Sequence, residues 1–315
     1  MRAERELTVV VSDTGEVADG VLSITLTPAD GDELPSWTPG AHIDVLLPIG
    51  LERQYSLCGD TADTTSWRIA VLREPSGRGG SAYIHDRLRV GHRLRVRGPC
   101  NNFPMVAAAR YLFIAGGVGV TPILPMICAA RRRGATWTLV YGGRTRGSMA
   151  FLPELETYGP RLVCRPQDEF GLLDLDAILA DPDTFTQVYC CGPESLIAAV
   201  EERCGDWPPG ALHVERFAPR AVTAAPARSF EVVLARSGLT LQVPADQSVL
   251  DVVLDAGIEV LSSCEEGTCG TCETRVLGGE PEHLDSILTS EQQRESASMM
   301  ICVSRCEGDR LVLDL

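Results

Sequence analysis

The chain has 315 residues, 44% of them apolar and 23% charged, with a formal net charge of −15. That length and composition give two or three globular domains with cores of their own and exclude a disordered chain. The acidity argues against a nucleic-acid partner, which needs basic surface to neutralise phosphates, and suits docking on a basic protein surface.

No apolar segment follows the charges of MRAERELTVVVSD, and no run approaches the roughly 18 apolar residues of a membrane span. The expected location is therefore cytoplasmic, with no membrane partner. In that reducing compartment the twelve cysteines are not read as disulfides. Cys100, Cys128, Cys164, Cys190 and Cys204 lie on apolar runs and read as small buried residues.

The first hundred residues alternate apolar and polar positions between turn signals. LTVVVSD, GVLSITLTP, HIDVLLP, RQYSLCG, SWRIAVLRE and HRLRVRGP read as six short strands of an antiparallel β-barrel. One helix is expected near Ser81–Leu88, after GRGG. From Tyr111 strands and helices alternate: YLFIAGG, then the helix TPILPMICAARRRG with its terminal glycine, then TWTLVYGG, LVCRP, TQVYCCGP and ALHVERF. This pattern predicts an α/β domain with a parallel sheet, running to about Phe217. Ala218–Ser229 is rich in Ala and Pro without periodicity and reads as a linker. A small α+β unit follows, opening with the hairpin SFEVVLARSGLTLQVP and the helix QSVLDVVLDAG. The expected division is 1–107 for the barrel, 108–220 for the α/β domain, 221–229 for the linker and 230–315 for the last unit.

The last unit holds SSCEEGTCGTCETRV. Cys264, Cys269 and Cys272 are spaced C-x4-C-x2-C, and Cys302 follows after 29 intervening residues. This is the plant-type ferredoxin spacing for a [2Fe–2S] cluster. Gly267, Thr268, Gly270 and Thr271 are small enough for the backbone to wrap a cluster and aim N–H groups at its sulfur. A zinc site is the alternative, but zinc favours paired C-x2-C knuckles and only one is present; a disulfide pair is the other. Cys306 competes with Cys302 for the fourth position.

Three further stretches suit redox cofactors. In RQYS, Tyr55 can stack on a flavin ring, the Ser56 hydroxyl can meet its N5, and Arg53 can neutralise phosphate; alone, this is also an ordinary edge strand. GRGGS (Gly77–Ser81) precedes the barrel helix, whose N-terminus offers N–H groups to an anion beside Arg78; a plain glycine-rich hairpin is the bland reading. AGGVGVTPI (Ala115–Ile123) lacks the G-x-G-x-x-G fingerprint but places glycines at the end of a parallel strand, where nucleotides bind. YCCGP (Tyr189–Pro193) ends a later strand at the same edge, and YGGRTR (Tyr141–Arg146) ends the second, where an adenosine ribose would lie.

In this order and spacing, R-x-Y-S, G-G-V-G-V-T-P and C-G-P resemble the ferredoxin–NADP reductase superfamily. With the C-terminal cysteine loop, and with GRGGSAYIHDRLRVG and HLDSILTSEQQ…MMICVSRC, the whole chain resembles the phthalate dioxygenase reductase and vanillate demethylase reductase family. That resemblance implies an antiparallel flavin barrel, an α/β nucleotide domain and a β-grasp ferredoxin domain, holding FMN, NADH and a [2Fe–2S] cluster. It implies flavin contacts at Arg53, Gln54, Tyr55 and Ser56, and a phosphate cradle of the FMN type at Gly79, Gly80 and Ser81. It implies a nicotinamide site at Gly117, Gly119, Thr121 and Pro122 with Cys191, Gly192 and Pro193 opposite. Phe217 resembles the aromatic that covers the flavin, with an ordinary core aromatic as its bland reading, and Glu215 could polarise the site. Ser56, Thr121, Cys191, Glu215 and Phe217 are the candidate catalytic residues. Arg144 and Arg146 could hold the 2′-phosphate of NADPH; the family points to NADH.

The implied activity is the transfer of a hydride from NADH to FMN and of single electrons through the cluster to a terminal oxygenase, most simply of the Rieske type. A cytochrome P450 is the alternative partner, and a non-enzymatic redox sensor is the alternative from another class. From Phe230 to Leu315 there are 16 acidic residues against 5 arginines, so most of the chain's excess negative charge surrounds the expected exit point.

Overall fold

The computed structural model describes residues 6–220 and 227–315. They form two compact units that divide between Glu215 and Arg216. Most of the linker expected over 221–229, residues 221–226, lies outside the described residues.

The first unit opens with an antiparallel sheet of β1 (Glu6–Ala18), β2 (Val21–Pro28), β3 (His42–Leu46), β4 (Glu52–Ser56), β5 (Trp67–Leu72) and β6 (Arg93–Cys100). Its order is β4-β3-β6-β1-β2-β5. Alternate side chains point to one face, so Val9, Val11, Ile24, Leu26, Ile69 and Val71 pack inward around Trp67. Just past β4, the Cys58 N–H donates to the Arg68 carbonyl on β5 at 2.8 Å. The two edge strands therefore meet and the sheet closes as a barrel, with no row of unpaired edge groups there. The barrel helix, α1, spans Gly80–Arg87.

The same unit continues into a parallel sheet of β7 (Arg110–Gly116), β8 (Thr136–Gly143), β9 (Leu162–Pro166), β10 (Thr186–Cys191) and β11 (Leu212–Glu215), in the order β11-β10-β7-β8-β9. Between its strands lie α2 (Ile123–Arg132), the short α3 (Leu152–Glu156), α4 (Gln167–Phe170) and α5 (Leu175–Ile178), and α6 (Glu194–Arg203). β7 is central and its middle residues are buried, as a strand covered on both faces requires. The chain moves outward through β8 and β9, then returns to build β10 and β11 on the other side of β7. The direction of winding thus reverses between β7 and β10, and the crevice beyond their carboxyl ends is where such sheets bind ligands. Val21, Cys58, Ala70 and Phe103 pack into the same core as Phe113, Tyr141 and Tyr189, so barrel and parallel sheet share one apolar interior.

The second unit holds a mixed sheet in the order β13-β12-β18-β14-β16, from β12 (Phe230–Leu234), β13 (Leu239–Val243), β14 (Glu273–Gly278), β16 (Ser298–Met300) and β18 (Arg310–Leu313). β12 and β18 are parallel and the other pairs antiparallel. A small pair, β15 (Pro281–Glu282) and β17 (Arg305–Cys306), lies beside it. α7 (Val249–Asp255) starts on a reciprocal cap between Ser248 and Asp251 and buries Val249, Leu250 and Val253 in the core. α8 spans Ser290–Glu295.

Candidate functional site

The crevice beyond β7 and β10 is built by close backbone approach. A Cβ on Gly119 would sit 2.3 Å from the Cys191 carbonyl oxygen, and one on Gly116 would sit 2.7 Å from Pro193 Cδ. Only glycine lets the loop after β7 and the turn after β10 touch. The loop Gly117–Val120 is a single 3-10 turn. Buried Thr121 closes it by donating its hydroxyl to the Val118 carbonyl at 2.9 Å, and Pro122 precedes α2. Tyr141, which opens the YGGRTR stretch expected near an adenosine ribose, donates its hydroxyl to the carbonyls of Gly117 and Ala150 at 3.1 and 3.0 Å.

At the edge of this crevice the parallel register places Cys191 beside Glu215 and Ala115. Glu215 is half-buried, with its Oε2 shielded from solvent. Burial pushes its carboxyl up to about 8, against the opposing effect of the Ser56 hydroxyl beside it. Ser56, itself buried, ends β4 of the barrel. Ser56 and Glu215 thus bring the barrel strand and the crevice together. Glu215 Oε2 is a buried polar atom without a hydrogen-bond partner, which marks a place where an added polar group would be stabilised. The Cys191 thiol is pushed well up, first by burial and then by Glu215 and Cys190; a neutral thiol packs there as a small polarisable surface rather than a nucleophile.

On the barrel, Arg53 and the glycine turn meet although they are distant in sequence. A Cβ on Gly80 would lie 2.8 Å from Arg53 Cγ, so the arginine stem crosses the start of α1. Gly79 has φ +91°, a conformation that favours glycine, and leads the first N–H groups of α1 outward beside that guanidinium. Helix N-terminus and arginine together fit a phosphate. Ser81 uses its hydroxyl oxygen to accept from the Glu74 N–H at 3.0 Å, which fixes the turn. Tyr55 is half-buried against the barrel core, and burial raises its phenol. The Gln54 amide donates to buried Asp44 at 2.8 Å across the β3–β4 pair, which orients the strand.

Phe217 belongs to the second compact unit and is 46% exposed. Arg144 lies exposed just past β8.

In the second unit the four cysteines converge. Cys264 lies beside Cys269 and Cys302, and Cys272 beside Cys302. Those neighbours pull the Cys264 thiol well below its usual range. The backbone N–H groups of Glu266 and Thr268 donate to Cys264 Sγ at 3.3 and 3.4 Å, and that of Thr271 donates to Cys269 Sγ at 3.4 Å. Gly267 and Gly270, with φ +69° and +75°, make these reversals. A thiolate set with N–H donors aimed at its sulfurs fits an iron–sulfur cluster in its reduced, more negative state. Cys306 lies apart on β17 and accepts at sulfur from the backbone of Gly308 and Arg310. None of the twelve cysteines is joined in a disulfide.

Residues 232–307 match the 2Fe-2S iron-sulfur cluster binding domain family. A toluene-4-sulfonate monooxygenase system reductase subunit from Comamonas testosteroni is 41% identical over 316 residues, 98% of this chain and 99% of that one. A solved structure of phthalate dioxygenase reductase superposes with a TM-score of 0.73 at 34% identity, covering 98% of both chains. The structure of an intact self-sufficient cytochrome P450 monooxygenase matches with a TM-score of 0.91 at 44% identity; this chain spans 98% of its own length and 41% of that chain. The fold and the site define a flavin and iron–sulfur oxidoreductase, the reductase component of an oxygenase system. The chain belongs to the phthalate dioxygenase reductase family. Its cofactors are a [2Fe–2S] cluster, FMN and NADH. Among the described residues, no helix is long and apolar enough to cross a membrane.

Proposed function

We propose that this reductase delivers electrons to a Rieske-type terminal oxygenase acting on a small aromatic substrate. Bound FMN would accept a hydride and release single electrons, and bound [2Fe–2S] would pass each one on. The barrel, 1–107, holds FMN through Arg53, Gln54, Tyr55, Ser56, Gly79, Gly80 and Ser81. The α/β domain, 108–220, holds NADH through Gly117, Gly119, Thr121, Pro122, Arg144, Cys191, Gly192 and Pro193. Residues 230–315 hold the cluster through Cys264, Cys269, Cys272 and Cys302. Ser56 orients the reacting edge of the ring, Glu215 keeps that hydroxyl in place, and Cys191 and Thr121 shape the nicotinamide face and keep water out.

The observation that carries this reading is the approach of Ser56, at the end of the barrel strand β4, to Glu215 at the edge of the crevice beyond β7 and β10. The partner class is supported by relatives named as oxygenase reductase subunits that match along the whole chain. The acidic last unit suits a basic docking face on the oxygenase. A P450 partner is favoured by a different observation, the 0.91 TM-score against the reductase part of a P450 chain.

Reconstitution tests the choice. With NADH, the purified protein should support product formation by a Rieske-type oxygenase, and turnover should fall as salt rises. Support of a P450 alone would transfer the assignment to that class, and a flat salt profile would remove the electrostatic part.

A further inference from the structure

The corner beyond β8 holds two arginines, and they are not equivalent. Arg144 is exposed, and its carbonyl accepts from the Asp168 N–H at 3.2 Å. Arg146 is committed: NH1 lies 3.3 Å from Glu156 Oε1, Nε 3.4 Å from Glu169 Oε1, and NH2 3.5 Å from Glu169 Oε2. All three guanidinium nitrogens therefore face carboxylates. Glu156 ends α3 and Glu169 lies on α4, so three segments converge on one side chain. The loop that carries Arg146 is braced by reciprocal hydrogen bonds between Thr145 and Ser148. Arg165 joins the corner but lies over the Phe170 ring, 4.9 Å from its centroid.

This arrangement bears on which dinucleotide enters, and it rests on the reading that the adenosine half lies at the carboxyl ends of β7 and β8. NADPH differs from NADH there by one phosphate on the ribose 2′-oxygen. A phosphate is best held by a guanidinium that can turn two N–H groups toward it. A carboxylate repels a phosphate, whereas it accepts a hydrogen bond from a ribose hydroxyl. Ion pairs as exposed as these add little to folding stability, which leaves recognition as the more direct consequence of their charge.

We infer that Glu156 and Glu169 set the preference for NADH: by engaging Arg146 they convert a cation pair suited to a 2′-phosphate into a corner that refuses it. Arg144 alone is left to meet the anionic dinucleotide.

The test compares kcat/KM for NADH and NADPH in the holoenzyme, read as cytochrome c reduction. The variants are Glu156→Gln, Glu169→Gln, the pair together, and Glu202→Gln as a charge control on α6, where the carboxylate side chain is 83% exposed. The NADPH/NADH ratio should rise about tenfold in the double variant, equal to about 1.4 kcal/mol, chiefly through a lower KM for NADPH. Adding Arg144→Ala should reverse part of the gain. Each single variant should show a smaller rise, which keeps the test available if the pair folds poorly. An unchanged ratio overturns the inference. Equal gains with both nucleotides, or the same shift in Glu202→Gln, also overturn it, because general charge would then be the cause. Wild-type protein inert with either nucleotide would instead overturn the reading of the nucleotide site itself.

Discussion

The two units handle buried negative charge in opposite ways. In the first, burial outweighs the influence of the Ser56 hydroxyl beside Glu215, and the carboxyl is pushed up to about 8. In the second, Cys264 is surrounded by donors, two of them backbone N–H groups, and its sulfur favours the anion. A site that passes a hydride gains from a neutral, water-free wall, because charge there would oppose a negative species arriving. A site that stores an extra electron gains from fixed dipoles already pointing inward. The first solution is made of side chains from separate elements, the second mostly of local backbone.

That contrast can be broken at either end. The largest effect should follow Cys272→Ser. Cytochrome c reduction should fall by about 100-fold or more as acid-labile sulfide and the cluster's visible bands are lost, while NADH-driven ferricyanide reduction through the flavin persists. Loss of both activities together would mean that the two units do not work separately. Next, Ser56→Ala should slow flavin reduction by NADH about 100-fold in stopped-flow measurements, within the range for a lost positioning hydroxyl, and should leave the cluster spectrum unchanged. A normal rate would detach Ser56 from the hydride step.

The smallest effect concerns stability. Burial pushes the Glu215 carboxyl up to about 8 from an ordinary value of 4.5. Between those values the folded chain binds a proton that the unfolded chain has released, so stability falls as pH rises through that window and levels off above it. The size is a few kcal/mol at most by the conversion of about 1.4 kcal/mol per pKa unit. Glu215→Gln should remove this slope, so its Tm should gain on that of the wild type between pH 5 and 8 by several degrees. Parallel pH profiles would show that Glu215 is ionised and paired in the fold.

The iron–sulfur domain was the most legible part of the chain, because three of its candidate ligand cysteines lie within nine residues and their spacing is itself a pattern. The barrel strands and the α/β alternation were legible through periodicity, as Val9, Val11, Ile24 and Leu26 illustrate. The flavin and nicotinamide residues were weak in isolation. Arg53 reaches Gly80, and Ser56 reaches Glu215, only through tertiary folding, so no local pattern records either contact. Arg146 shows the remaining gap. Its type suggested a phosphate ligand, and only the fold revealed the two glutamates that occupy it. The boundary expected at 107/108 marks a change of topology but not of packing, because Cys58, Ala70 and Phe103 belong to the core that continues into the parallel sheet.

Arg68 carries that continuity to the surface. From β5 it donates to the Cys58 carbonyl at 2.8 Å, pairs with Glu154 at 3.3 Å and lies 4.8 Å over the Phe151 ring. An excised barrel would keep the bond to Cys58 but lose Glu154 and Phe151 and bare an oily flank, so a fragment cut near residue 107 should clump rather than refold. On heating, the stretch ending at Glu215 should absorb its unfolding enthalpy in a single calorimetric peak, with no earlier shoulder from the barrel.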